Sequence, residues 1–219
     1  MDLYRFVSIA AVASYFIPLI IVLGKKAWRD KFFLLFAIYW SLGGVVNLFD
    51  VLPGITKETI NVVGIAYNML DIPFILGILY YTSVYSFIRK TVSGAFAVVS
   101  VIQVLSIVNA GLTYDALKYS LGIGVLMVLC IVIMEIVRYM QKVEHSTRQN
   151  AKMFVYAAVL FEYATFVVIY IFDYIVTTDD KTDSYIIYYV STLVAITIAS
   201  CGFVMYRKYE HSPVYLNRK

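Results

Sequence analysis

Seven long apolar runs fill most of this chain and limit what it can fold into. Each run holds about 18–27 residues, close to the roughly 20 that an α-helix needs to cross the hydrocarbon core of a bilayer. In lipid every backbone N–H and C=O must be satisfied within its own segment, so we predict that each run is a helix. The predicted spans are residues 6–23, 32–52, 62–88, 92–112, 119–140, 153–176 and 185–206.

The composition agrees with a membrane protein. Of the 219 residues, 62% are hydrophobic and 15% are charged, whereas a soluble domain carries about 25% charged residues. The apolar runs leave no room for a separate soluble catalytic domain, so we expect one domain over residues 1–219. The predicted fold is all-α, a polytopic bundle of seven transmembrane helices. Its first partner is the lipid bilayer, and we expect neither a cofactor nor a nucleic acid partner.

The distribution of Lys and Arg predicts the orientation of the chain. Fourteen of the 18 lie in the links after runs one, three and five and in the tail after run seven. The other four are Arg5, Lys57, Lys118 and Lys181. Cytoplasmic loops carry the excess of positive charge, so we expect the N-terminus outside and the C-terminus in the cytoplasm. Because the loops are short and the first run is too long for a signal peptide, we expect a multi-pass protein of a cell membrane, the bacterial inner membrane.

Run three carries a polar stretch that ends at Pro73. The stretch includes Tyr67, Asn68 and Asp71. A charged side chain at membrane depth costs about 2.5–3.5 kcal/mol on insertion scales, so it usually faces a protein interior or a wet cavity. Pro73 lacks an N–H and frees a backbone carbonyl near Met69, four residues earlier. We expect Asp71 in the outer half of its helix, where the proline kink either widens a cavity or is only tolerated.

Polar side chains recur at three- and four-residue steps in runs two, three, four and six, so within each helix they share a face. Three of these four stripes are concentrated toward the outer half. Tyr67, Tyr163 and Tyr170 also lie deeper than the aromatic belt typical of membrane interfaces. We predict that the stripes converge on a polar, partly hydrated cavity open to the outside. The predicted ligand-binding residues are Asn47, Asp50, Tyr67, Asn68, Asp71, Gln103, Glu162 and Asp173.

Three functions fit this cluster. We favour a receptor-like or sensor module that binds a small ligand, lipid or cation in the cavity and reports through its basic surface to a cytoplasmic protein partner. The alternative is a small transporter that uses Asp71 or Glu162 as a proton or cation switch. A weaker alternative is an intramembrane lipid hydrolase with an Asp/Glu acid–base pair, although we do not expect an enzyme. The carboxylates could also serve only as hydrogen-bonding groups between helices, for example through Asn47 or Asn68 paired with Asp71.

The residues within the predicted helices exclude two known classes of membrane protein. Retinal proteins need a lysine within the seventh helix, and here no predicted helix core contains one. Intramembrane zinc hydrolases need several histidines at membrane depth as ligands. The two histidines, His145 and His211, fall in a predicted loop and in the tail. We therefore predict no metal site.

Two further patterns predict packing. Glu135 and Arg138 are three residues apart near the cytoplasmic boundary, which favours an ion pair. Ala195, Ala199 and Gly202 give run seven a face of small residues. Such a face allows a close approach, either to a neighbouring helix or to a second copy in a homodimer.

Overall fold

In the computed structural model, residues 3–172 and 182–206 are described, and all their regular structure is helical. The α-helices are α1 (Leu3–Ser14), α2 (Ile17–Gly24), α3 (Lys31–Val51), α4 (Lys57–Thr82), α5 (Ser86–Ala110), α6 (Tyr114–Met140), α7 (Thr147–Ile171) and α8 (Thr182–Met205). Within the described ranges, seven helices are long and apolar enough to cross a membrane, with α1 and α2 together forming the first. The predicted all-α architecture with seven apolar helices of membrane-spanning length is confirmed.

The helices pack as a closed ring. α3 packs on α4, α4 on α5 and α6, α6 on α7, and α7 on α8, which returns to α1 and α2. The core is richest in aromatic rings along α3, where Phe33, Phe36 and Trp40 are almost completely buried. Phe203 of α8 reaches this row, with its ring centre 5.4 Å from Phe33 and 6.1 Å from Trp40. The interior that α3 faces is therefore the natural place for any buried site.

The first predicted helix is broken in two. α1 ends at Ser14 and α2 begins at Ile17, so the single helix predicted over residues 6–23 is wrong in this detail. Pro18 is the cause, since its ring clashes with the carbonyl four residues earlier and it has no N–H to donate. The break packs against α3 at Gly44, where a Cβ would lie 2.7 Å from the Cβ of Tyr15.

The boundary between the third and fourth spans also differs from the prediction. α4 ends at Thr82 and α5 begins at Ser86, whereas the apolar run had been expected to continue to Ile88. The hydroxyl of Ser83 accepts a hydrogen bond from the backbone N–H of Tyr85 at 3.3 Å. Such a local bond offers the backbone an alternative to the helix, so the chain turns inside an apolar stretch.

Helix starts follow the capping residues in the sequence. Thr56, Thr113 and Ser146 each accept a hydrogen bond from the backbone N–H three residues later, at the starts of α4, α6 and α7. The cap on α4 sets its first residue at Lys57, five residues before the apolar run. Asp71 therefore lies roughly midway along α4, and its place in the outer half of the membrane stays a prediction.

The two packing predictions have different outcomes. Gly202 lies against α7, where a Cβ would come within 2.6 Å of the carbonyl oxygen of Ala151, so a neighbouring helix occupies the small-residue face. The predicted Glu135–Arg138 ion pair is wrong. Glu135 is buried with one carboxylate oxygen unpartnered, while Arg138 reaches Gln141 at 3.4 Å. Their side chains diverge because the long arginine stem carries its charge out of the bundle to water.

Candidate ligand-binding site

Asp71 sits at the centre of a triangle of oxygen atoms inside the bundle. Its side chain is 8% exposed. The hydroxyl of Tyr39, from α3, donates to one carboxylate oxygen at 3.0 Å, and the hydroxyl of Tyr163, from α7, donates to the other at 3.0 Å. The two hydroxyl oxygens are themselves 3.0 Å apart. The triangle thus has three contacts but only two phenolic protons, so one further proton on Asp71 would complete it.

Glu162 lies next to this triangle. It is buried, and the indole N–H of Trp40 donates to its carboxylate at 2.9 Å. Trp40 follows Tyr39 on α3, and Glu162 precedes Tyr163 on α7, so two adjacent residues of one helix meet two adjacent residues of the other. Through these contacts α3 holds both carboxyl groups, Asp71 by Tyr39 and Glu162 by Trp40.

A second hydrogen-bonded group lies between α3, α8 and the break after α1. The hydroxyl of Tyr15 is 2.8 Å from that of Tyr188 and 3.3 Å from that of Thr192. The amide of Asn47 donates to the Tyr188 hydroxyl at 3.1 Å and to the carbonyl of Gly43 at 2.8 Å. The proline break in the first span therefore places Tyr15 where α8 can bond to it.

A narrow cleft joins the two groups. Glu162 lines it from α7, and Tyr188, Ser191 and Thr192 line it from α8. The cleft is too narrow to hold a water molecule. Where the sequence predicted a partly hydrated cavity, direct contacts of Tyr and Trp side chains with Asp71 and Glu162 fill the space in the described part of the bundle.

Gln103 has a structural partner. Its amide donates to the backbone carbonyl of Met69 at 2.9 Å. Met69 is four residues before Pro73, and its carbonyl is the one that a proline leaves without a helical donor. The freed carbonyl predicted from the sequence is therefore satisfied by the neighbouring α5, and Gln103 serves the backbone of α4.

The remaining predicted residues lie at different places. Tyr67 is half-buried beside Asp71, and its hydroxyl lies 3.1 Å from where a Cβ on Gly43 would be. Asn68 is half-buried, and neither it nor Asn47 is among the hydrogen-bond donors of Asp71 in the described residues. Asp50 is exposed at the end of α3. Asp173 lies outside the described residues.

The sequence reasoning missed several members of the site. They are Tyr15, Tyr39 and Tyr188. Tyr15 and Tyr39 lie well inside apolar runs, and that position was the available signal, whereas Tyr188 lies only three residues after the start of its run. Tyrosine is so common at membrane interfaces that a deep one is easily overlooked.

The donors around Asp71 and Glu162 are neutral. Phenol and indole groups supply the hydrogen bonds that these two carboxyl groups accept, and within residues 3–172 and 182–206 neither carboxyl group forms an ion pair with Lys or Arg. Such a site can take up a proton or bind a cation. Comparisons of the chain with protein families, with curated proteins and with solved structures found no match.

Proposed function

We propose that this chain is a receptor-like membrane module that binds a small cation at Asp71 and Glu162. The supporting observation is the burial of two carboxyl groups that have only Tyr and Trp donors in the described part of the chain. A buried carboxylate without a cationic partner is costly, because removal from water is not repaid by a neighbouring charge. A cation that binds between the two groups supplies that charge.

The rings around the carboxyl groups favour an organic ammonium ion as the ligand. Tyr39 and Trp40 stand beside the two carboxyls, and their rings contact Phe74 at 6.0 Å and Phe36 at 5.8 Å between centres. Aromatic faces attract cations, and quaternary and protonated amines are typical ligands of such surroundings. The ligand has to separate the hydroxyls of Tyr39 and Tyr163, so binding would shift α3 relative to α7. That shift is the proposed signal.

The orientation of the module follows from its charge distribution. We place the chain in a bacterial inner membrane, with the N-terminus outside and the basic links on the cytoplasmic side. In this arrangement the ligand arrives from outside, past Tyr15 and Tyr188. A movement of α3 or α7 would reach the basic surface, where both helices begin, and a cytoplasmic protein partner would detect it there.

Ligand-dependent thermal stability tests the proposal. Detergent-purified protein is heated with methylammonium, tetramethylammonium or choline, and with neutral alcohols of the same size. We expect the amines alone to raise the melting temperature, because a ligand that binds only the folded state stabilises it. Asp71→Asn and Glu162→Gln should each abolish the increase. Asp50→Asn, a matched change at an exposed carboxyl, should keep it. Equal effects of amines and alcohols, or loss of the effect in Asp50→Asn, would refute cation binding.

The oxygen triangle also favours a second candidate, a proton-linked transporter. Its third contact needs a proton on Asp71, and such a proton could be exchanged when a substrate binds. Proteoliposomes loaded with a pH-sensitive dye separate the two candidates. A transporter would acidify or alkalinise the lumen when amine is added, and Asp71→Asn would stop the change. A receptor-like module would bind the amine without moving protons.

A further inference from the structure

A basic pocket of about 720 Å³ lies at the end of the bundle where α3 and α7 begin and α4 ends. Four cationic side chains line it: Arg29, Lys31, Arg148 and Lys152. One acidic side chain, Asp30, also lines it and is held by Arg148 at 2.6 Å. The lining therefore carries an excess of three positive charges at a membrane boundary.

The pocket continues into an apolar groove of about 450 Å³ between α3 and α4. The groove is lined by Leu35, Phe74 and Gly77 among others, and it shares Lys31 and Tyr81 with the basic pocket. It extends along α4 from Tyr81 to Pro73, eight residues or about 12 Å at the helical rise. A single molecule can therefore occupy the groove and the pocket together if it is apolar at one end and anionic at the other.

Two lysines are fixed at the walls of the pocket. Lys31 donates a hydrogen bond to the hydroxyl of Tyr81, where the groove meets the pocket. Lys152 lies over the ring of Phe32, with its nitrogen 4.4 Å from the ring centre. Since Asp30 already engages Arg148, these lysines are the cations best placed for a further anion.

We infer that the groove and the pocket bind one anionic phospholipid from the leaflet on the basic side of the bundle. An acyl chain lies in the groove between α3 and α4, and the phosphate of the headgroup lies near Lys31 and Lys152. Basic pockets between membrane helices bind anionic headgroups in this way. A zwitterionic lipid is disfavoured because its own ammonium group would enter a cationic pocket. The site is separate from Asp71 and Glu162, which line neither the groove nor the pocket.

Native mass spectrometry of detergent-purified protein tests the inference. Phosphatidylglycerol and phosphatidylcholine with identical acyl chains are added in equal amounts. We expect one retained phosphatidylglycerol per chain and at least about tenfold weaker retention of phosphatidylcholine. The double variant Lys31→Gln and Lys152→Gln should lose this preference. Equal retention of both lipids by the unmodified protein overturns the inference, and this result does not depend on how any variant folds.

A pair of glycine variants tests the groove itself. A Cβ added at Gly77 or at Gly94 meets no atom within 4 Å, so both positions tolerate a larger side chain. Gly77→Leu fills the groove and should reduce retention of phosphatidylglycerol several-fold, whereas Gly94→Leu on α5 should leave it unchanged. Glycerol phosphate, the headgroup without chains, should bind weakly and equally to both variants. If Gly77→Leu retains the lipid as Gly94→Leu does, the acyl chain does not lie in the groove.

Discussion

Tyr163 makes contacts on both sides of the buried site, because its hydroxyl touches Asp71 and Tyr39 and its chain neighbour is Glu162. It is completely buried, so water cannot replace a lost contact. Burial of an unsatisfied polar group is more costly than the net gain from the hydrogen bond that satisfied it. The stability of the protein should therefore depend on this hydroxyl more than on most others.

The first prediction concerns Tyr163→Phe. The change keeps the ring and leaves one oxygen of Asp71 without its donor, so we expect a loss of about 1–3 kcal/mol in the free energy of unfolding. Unfolding in detergent by a graded denaturant measures the loss. Tyr119→Phe serves as the matched control, since Tyr119 is 64% exposed and its hydroxyl should contribute little.

The double variant Tyr163→Phe with Asp71→Asn provides the second part of that test. Two residues that share a hydrogen bond give non-additive effects when both are changed. We expect the double variant to lose less stability than the two single changes predict together. Strict additivity would mean that the hydroxyl and the carboxyl do not interact.

At the residue scale, the sequence identified the carboxyl groups but not their partners. Asp71 and Glu162 stand out because charges are rare and costly at membrane depth. Helical spacing then placed Asn47 and Asn68 on the faces expected to meet Asp71. Spacing fixes positions around one helix only, and it does not fix how two helices are rotated against each other. That rotation brings Tyr39 of α3 to Asp71 in place of Asn47.

At the scale of helices, α4 and α5 are coupled through the proline. Pro73 leaves the carbonyl of Met69 without a helical partner, and Gln103 supplies one at 2.9 Å. Backbone groups freed by proline inside a membrane helix are usually satisfied by a neighbouring helix or side chain. The contact fixes the position of α5 along α4, next to the segment that carries Asp71.

The second prediction follows from this coupling. Gln103→Leu should destabilise the protein by about 1–3 kcal/mol, because it leaves the Met69 carbonyl without a donor. In a Pro73→Ala background the same change should cost much less, since an alanine in place of the proline can donate its own N–H to that carbonyl within the helix. Thermal unfolding of the four combinations in detergent measures both effects. An equal cost in the two backgrounds would show that Gln103 acts through some other contact.

Some helix boundaries could be predicted from the sequence and others could not. Gly54, where φ is 90°, lies in the predicted link after run two, and Gly111, where φ is 70°, follows α5 one residue before the predicted end of run four. The turn at Ser83–Tyr85 was missed because it lies within a continuous apolar run, and hydropathy does not respond to a single local hydrogen bond. The break before Pro18 was missed for a related reason, since prolines are tolerated inside many membrane helices.

At the scale of the whole molecule, the charge distribution should determine how the bundle sits in the membrane. The pocket around Arg148 gathers basic residues from α3, α7 and the link after α2 at one end of the helices. The positive-inside rule counts Lys and Arg and is nearly insensitive to acidic residues. Acidic residues at the two ends of the bundle can therefore be replaced by cysteine without changing the topology. Labelling of those cysteines then shows on which side of the membrane each end lies.

The last prediction uses this property. Cys130 and Cys201 are first replaced by Ser, and a single cysteine is then introduced as Glu58→Cys or Glu144→Cys. Both glutamates are exposed, and they lie at opposite ends of the bundle, at the start of α4 and just before α7. In intact cells, a membrane-impermeant maleimide should label the cysteine at position 58 and not the one at position 144. After the cells are opened, both should be labelled, which shows that each cysteine is reactive. The reverse pattern in intact cells would place the basic pocket outside, and the proposed ligand would then reach Asp71 from the cytoplasm.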